Sequence, residues 1–213
     1  MTVTGFYPVL DTGLLARRGI GAVEAAEAIL DAGARILQLR HKDFFSRAVY
    51  LEAGQIAGLC RATGALFVIN DRADVAALLG AALHIGQQDL APRDARKVLP
   101  AGAILGFSTH NEHQLRAGDQ EPVDYLAIGP IFGTQSKENP DPVVGLAELS
   151  RLRSFTRKPL VAIGGIRRET ALDVFRAGAD AVAVIGDLFP DPATKASLRA
   201  RAAEWLAISS SRR

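Results

Sequence analysis

The segment Val23-Glu24-Ala25-Ala26-Glu27-Ala28-Ile29-Leu30-Asp31-Ala32-Gly33-Ala34-Arg35-Ile36-Leu37-Gln38-Leu39 holds three structural signals in succession. Val23 to Asp31 has helical apolar spacing, Gly33 follows, and Ile36 to Leu39 is a strand-sized apolar run. Glycine just past a helical pattern is a stop signal, because it enters the left-handed region without a Cβ penalty. The segment therefore reads as helix, stop and strand. The same stop recurs in Thr63-Gly64-Ala65 and Ala177-Gly178-Ala179, which implies one repeated unit.

Working outward, strand candidates fall at Phe6 to Leu10, Ile36 to Leu39, Leu66 to Ile69, Ala82 to Ile85, Ala103 to Phe107, Tyr125 to Ile128, Leu160 to Ile163 and Ala181 to Ile185. Helical stretches such as Val23 to Asp31 and Arg47 to Arg61 lie between them. This alternation is the pattern of parallel strands joined by crossover helices. An open doubly wound sheet usually carries a glycine fingerprint after its first strand, and here that position reads Asp11-Thr12-Gly13. The expected fold is α/β, a single (βα)8 TIM barrel spanning residues 1–213. The polar tail 207–213 is expected to fray, with Trp205 and Leu206 pinning the last helix.

A length of 213 residues suits one domain, and 48% apolar with 23% charged residues is a soluble globular balance. Apolar runs such as Ala65 to Ile69 and Pro159 to Ile163 fall far short of the roughly 20 residues a membrane helix needs. The opening residues lack a secretory pattern, so a cytoplasmic location is expected. Cys60 is the only cysteine, which excludes an intrachain disulfide and leaves core packing as its expected role. A formal charge of +2 without a basic block argues for a small anionic ligand and against nucleic acid.

Barrel active sites lie at the C-terminal strand ends. Strand two ends in Gln38-Leu39-Arg40-His41-Lys42, where alternation points Gln38 and Arg40 one way and leaves Leu39 to pack. Strands three and four deliver Asp71 and Asp89. Each aspartate alone suits a helix N-cap, but two carboxylates with nearby cations also suit Mg²⁺, which takes few protein ligands besides water and phosphate oxygens. Strand five offers Ser108 and, less directly, His110. The longest loop, Gly129 to Pro142, holds one lysine, Lys137. Glycines 164, 165 and 186 follow strands seven and eight, where exposed N–H groups cradle phosphate, although Asp187 must turn aside for that purpose. Two anion sites on one rim imply two phosphorylated substrates or one bisphosphate.

Taken in order, Gln38-Leu39-Arg40-His41-Lys42, Ile69-Asn70-Asp71-Arg72-Ala73-Asp74-Val75-Ala76, His84-Ile85-Gly86-Gln87-Gln88-Asp89 and Ile163-Gly164-Gly165-Ile166 resemble the thiamine phosphate synthase family, with the match running from Tyr7 to Asp187. The resemblance implies a transferase that joins an aminopyrimidine pyrophosphate to a thiazole phosphate. By resemblance, Gln38, Leu39, Arg40, His41, Lys42, Asn70, Ser108 and Lys137 meet the pyrimidine pyrophosphate, and Asp71 and Asp89 bind Mg²⁺. Thr134, Gln135, Ser136, Gly165, Ile185 and Gly186 meet the thiazole phosphate. Arg40, Lys42 and Lys137 are the implied catalytic cations, neutralising the departing pyrophosphate. The chain departs from the family pattern at Gly186, where serine is frequent, at Asp187 beyond it, and at the short Gly80 to His84 segment. Two rivals stand beside this reading: a thiazole tautomerase-like isomerase, and a non-catalytic barrel that binds a phosphorylated metabolite. Small-molecule partners are expected, with neither nucleic acid nor membrane, and homo-oligomer formation is left open.

Overall fold

The computed structural model describes residues 3–134 and 141–211. Its strands are β1 (Gly5–Asp11), β2 (Ile36–Arg40), β3 (Leu66–Asn70), β4 (Ala82–Ile85), β5 (Leu105–Thr109), β6 (Tyr125–Ile128), β7 (Leu160–Ile163) and β8 (Ala181–Val184). Each pairs in parallel with the next, and β8 returns to β1, so the sheet closes into the expected eight-stranded barrel. The helices are α1 (Thr12–Arg18), α2 (Ala22–Asp31), α3 (Arg47–Thr63), α4 (Ala73–Leu79), α5 (Pro92–Val98), α6 (Glu112–Asp119), α7 (Gly145–Arg153), α8 (Arg168–Arg176) and α9 (Lys195–Ser210).

The repeated stop works as its composition dictates. Gly33, Gly64 and Gly178 have φ of 105°, 67° and 105°, values at which any Cβ is strained. Each releases the chain from a helix into the next strand.

Strand alternation then sorts the side chains into two cores. Leu37, Leu39, Ile69, Leu83, Leu105 and Leu126 point outward and are buried beneath the helices. Tyr7, Val9, Ile36, Val68, Tyr125, Val161 and several alanines fill the barrel interior. In the outer layer Phe6 stacks on Trp205 of α9, with centroids 5.7 Å apart and planes 7° from parallel. Cys60 is buried in that layer, where burial pushes its thiol up to about 12, as suits a packing residue.

Several boundaries differ from the sequence expectation, most of them in β5, β8 and the C-terminal tail. β5 begins two residues later, because Ala103 donates to the Pro100 carbonyl at 3.1 Å in a turn around Gly102. It also runs further, since Ser108 and Thr109 find partners in Ala127 and Ile128 of β6. β8 stops at Val184, as Ile185 (φ −114°, ψ −74°) leaves extended geometry and enters a single 3₁₀ turn, Gly186–Leu188. Residues 207–210, expected to fray, continue α9: Ser209 is buried and its hydroxyl donates to the Trp205 carbonyl at 2.8 Å.

Candidate active site

The carboxylates predicted at the ends of β3 and β4 meet. Asp71 takes a left-handed backbone (φ 66°), a conformation that aspartate tolerates better than most residues, and its N–H donates to the His84 carbonyl at 2.8 Å. That local geometry sets its carboxylate beside Asp89 as a hydrogen-bonding neighbour. Burial raises the Asp71 pKa and proximity to Asp89 raises it further, against the lowering effect of Lys42. Lys42 Nζ lies 2.5 Å from Asp71 Oδ2, while Asp89 Oδ2 accepts from the Gly86 N–H at 2.7 Å. Neither aspartate caps a helix: α4 is preceded by Arg72 and α5 by Ala91. The capping alternative therefore falls. Two hard oxygen donors are a donor set that fits Mg²⁺, whose remaining positions go to water and substrate oxygens.

Arg40 is fixed at the rim by a carboxylate partner. It pairs with Asp11, which lies directly beside it in the β1–β2 register and whose other oxygen accepts from the Leu14 N–H at 2.9 Å, starting α1. Sequence reasoning passed over Asp11, although its place at the end of the neighbouring strand was the available signal. Leu39 sends its side chain into the outer core, as alternation required, so it is not among the mouth-facing groups. Both ring nitrogens of His41 serve the rim loop: Nδ1 meets Thr12 Oγ1 at 2.7 Å, and Nε2 meets the Phe44 carbonyl at 3.2 Å. His110 likewise ties β5 to the chain beyond β6, with Nδ1 2.7 Å from the Gly129 carbonyl.

Below the rim lies a polar chain that the sequence reading did not assemble. Gln38 Nε2 donates to the Tyr7 hydroxyl at 2.7 Å, and Tyr7 meets the Tyr125 hydroxyl at 2.9 Å. Tyr125 then meets His84 Nδ1 at 2.9 Å, and His84 Nε2 meets Ser108 Oγ at 2.8 Å. The Gln38 amide can only donate from nitrogen, so the order that leaves no phenol proton unpaired runs one way. Tyr7 donates to Tyr125, Tyr125 donates to Nδ1, and Nε2–H donates to Ser108. In that order Ser108 Oγ accepts from His84, and its own proton is not used within this chain of bonds. Burial raises both phenol pKa values, so both phenols keep their protons. Gly106 makes the arrangement possible, because a Cβ there sits 2.0 Å from Cζ of Tyr125. Asn70 Nδ2, predicted as a ligand contact, is buried with no hydrogen-bond partner among the described residues, an arrangement that a ligand acceptor would satisfy.

The glycine turns follow β7 and β8 at the same mouth. Gly164 and Gly165 have φ of 98° and 66°. A Cβ on Gly164 falls 2.6 Å from Pro130, and one on Gly165 falls 2.5 Å from the Gly133 carbonyl oxygen. These two glycines thus have a packing reason of their own, the close passage of the loop after β6. Around Gly186 a Cβ meets nothing within 4 Å, so that turn is open. Ile185 faces the barrel interior, Asp187 turns toward Arg168, and Thr134 is half-buried. Gln135, Ser136 and Lys137 lie outside the described residues.

A closed parallel barrel with paired acids, two cations and an open glycine turn at one mouth defines a barrel built to hold small phosphorylated molecules. The relatives are consistent with that class. The family model "Thiamine monophosphate synthase" matches residues 6–188. A thiamine-phosphate synthase of Koribacter versatilis is 47% identical over 184 residues, 86% of this chain and 84% of that protein. Another, of Chloroflexus aurantiacus, is 37% identical over 198 residues, 92% of this chain and 90% of that protein. The structure of a thiamine phosphate pyrophosphorylase from Pyrococcus furiosus aligns with a TM-score of 0.85 at 28% identity, covering 98% of this chain and 96% of that one. The chain belongs to the thiamine monophosphate synthase family.

Proposed function

We propose that this protein condenses 4-amino-2-methyl-5-(diphosphooxymethyl)pyrimidine with 4-methyl-5-(2-phosphooxyethyl)thiazole, releasing pyrophosphate and thiamine phosphate, as a Mg²⁺-dependent cytoplasmic enzyme. The observation that carries this reading is the facing pair Asp71 and Asp89, with Lys42 on one carboxylate, above a polar floor of hydrogen-bonded side chains. A single-phosphate isomerase has no use for such a set.

In the reaction the thiazole nitrogen forms a C–N bond to the exocyclic methylene carbon. The methylene C–O bond breaks, and its electron pair leaves with pyrophosphate. With Nε2 committed to Tyr7, Gln38 keeps Oε1 as an acceptor, and Asn70 offers Nδ2 as a donor. Together they complement an exocyclic amine beside a ring nitrogen. Ser108, whose proton is not used within the chain of bonds below the rim, and Lys42, Arg40 and Lys137 receive the departing charge. Asp71 and Asp89 would hold Mg²⁺, which supplies Lewis-acid neutralisation of the leaving group.

The test mixes purified protein with both substrates and Mg²⁺, then repeats the assay with chelator. Thiamine phosphate that forms only with the metal supports the reading. Product formed equally with chelator removes the metal from it. A shifted thiazole tautomer with no condensation favours the isomerase, and binding without any product favours a sensing barrel.

A further inference from the structure

Asp187 puts a carboxylate one residue beyond Gly186, where the reading above places a phosphate, and electrostatics alone predicts repulsion. The structure shows where that charge goes. Asp187 Oδ2 accepts from Arg168 Nε at 3.0 Å, and its side chain is only 14% exposed. Arg201 of α9 donates to the Asp187 backbone carbonyl at 2.6 Å and lies 3.9 Å from Oδ1. Glu204 closes the group, pairing with Arg168 and lying 3.4 Å from Arg201 Nε. Two guanidiniums and two carboxylates make the cluster neutral overall.

The cluster joins parts that must keep a fixed spacing. Arg168 is the first residue of α8, three residues beyond Gly165, and Asp187 lies within the 3₁₀ turn after β8. Ile163 and Ala183 are register partners, so the two turns leave the sheet side by side. A phosphate bound by N–H groups from both turns needs that gap held constant. Among the described residues, the Arg168–Asp187 pair is the side-chain ion pair that spans it, and Arg201 fixes the Asp187 backbone from a third element.

We propose that Asp187 is a positioning residue: through Arg168 and Arg201 it holds the Gly186 turn against the Gly165 turn and so sets affinity for the thiazole phosphate. This rests on the functional reading above. The opposing view, a misplaced negative charge, predicts the reverse sign. Asp187→Ala raises KM for the thiazole phosphate about tenfold, the scale of one lost hydrogen bond to a charged group. The turnover number and KM for the pyrimidine pyrophosphate stay within about twofold of wild type. Asp187→Asn, which keeps an acceptor for Arg168, recovers part of the loss. Arg168→Ala mimics Asp187→Ala, and the double variant is no worse than the more affected single one, because both changes break the same Arg168–Asp187 pair. An unchanged or lowered thiazole phosphate KM in Asp187→Ala, or effects that multiply in the double variant, overturns the proposal. If wild-type protein makes no product, the reaction is overturned and not the contact. Thermal stabilisation by the same thiazole phosphate then reads the contact directly, and equal shifts in wild type and Asp187→Ala overturn it.

Discussion

Replacing Gly106 with alanine drives a methyl group into the Tyr125 ring, and the structure sets the scale of the damage. The new Cβ sits 2.0 Å from Cζ and 2.4 Å from both Cε atoms, so the ring must retreat by about 1.5 Å to reach ordinary contact. Tyr125 is fully buried and stacks on His84 at 5.5 Å, with Tyr7 at its edge at 6.2 Å, so it has nowhere to go. A shift of that size breaks its 2.9 Å bonds to Tyr7 and His84. Overpacking costs about 1–3 kcal/mol and each lost bond about 1 kcal/mol, so about 3–5 kcal/mol is expected. For a chain of this length that lowers Tm by about 10 °C. Urea unfolding measures the loss, and turnover in the same variant falls because His84 no longer orients Ser108. In a Tyr125→Leu background the obstructing ring is gone, and Gly106→Ala there costs less than about 1 kcal/mol. Wild-type stability in the single variant, or an equal cost in both backgrounds, refutes the argument that Gly106 exists to admit this ring.

Asp71→Asn abolishes most Mg²⁺-dependent turnover yet leaves the metal-free protein as stable as before or more so. The Asp71 pKa is raised in the fold, so its contribution to stability is present below the unfolded carboxylate range and is lost as pH rises through the raised value. Tm measured from about pH 4 upward without metal falls less in the variant, and stabilisation of wild type by Mg²⁺ grows with pH over the same window. Gly165→Ala combines a left-handed backbone with a Cβ 2.5 Å from a carbonyl oxygen and loses more than about 2 kcal/mol in urea unfolding. Gly186→Ala, with open space around it, stays within about 0.5 kcal/mol. Lys137→Ala lowers the turnover number roughly 10²–10³-fold, as for other preorganised charge contacts, and an unchanged value removes Lys137 from the mechanism.

The barrel was legible because its cause is local. A helix stop at Gly33, Gly64 or Gly178 needs only the residue that permits the turn, and alternation along four or five residues separates Leu39 from Gln38 and Arg40. Pairings across the barrel are not local. Tyr7 and Tyr125 meet over 118 residues, and each alone looks like an aromatic core residue. The signal for the floor was present as parity: Tyr7, Gln38, His84, Ser108 and Tyr125 all fall on inward strand positions, opposite an inward glycine at 106. Asp11 was overlooked for the same reason, since its partner Arg40 lies on the next strand. At Gly164 and Gly165 the sequence carried two messages in one residue type, bare backbone for an anion and room for a neighbouring loop, and only the contact with Pro130 and Gly133 separates them.

The stack of Phe6 on Trp205 has a consequence for biosynthesis. β1 emerges from the ribosome early, but one of its edges is satisfied by β8 and its outer face is covered by α9. Until the last elements are translated, the nascent half-barrel carries an unpaired edge and an uncovered aromatic ring, both of which invite association between chains. Closure is thus a late step that zips the oldest strand to the youngest. Chaperone capture during translation should concentrate on that seam and cease once α9 docks.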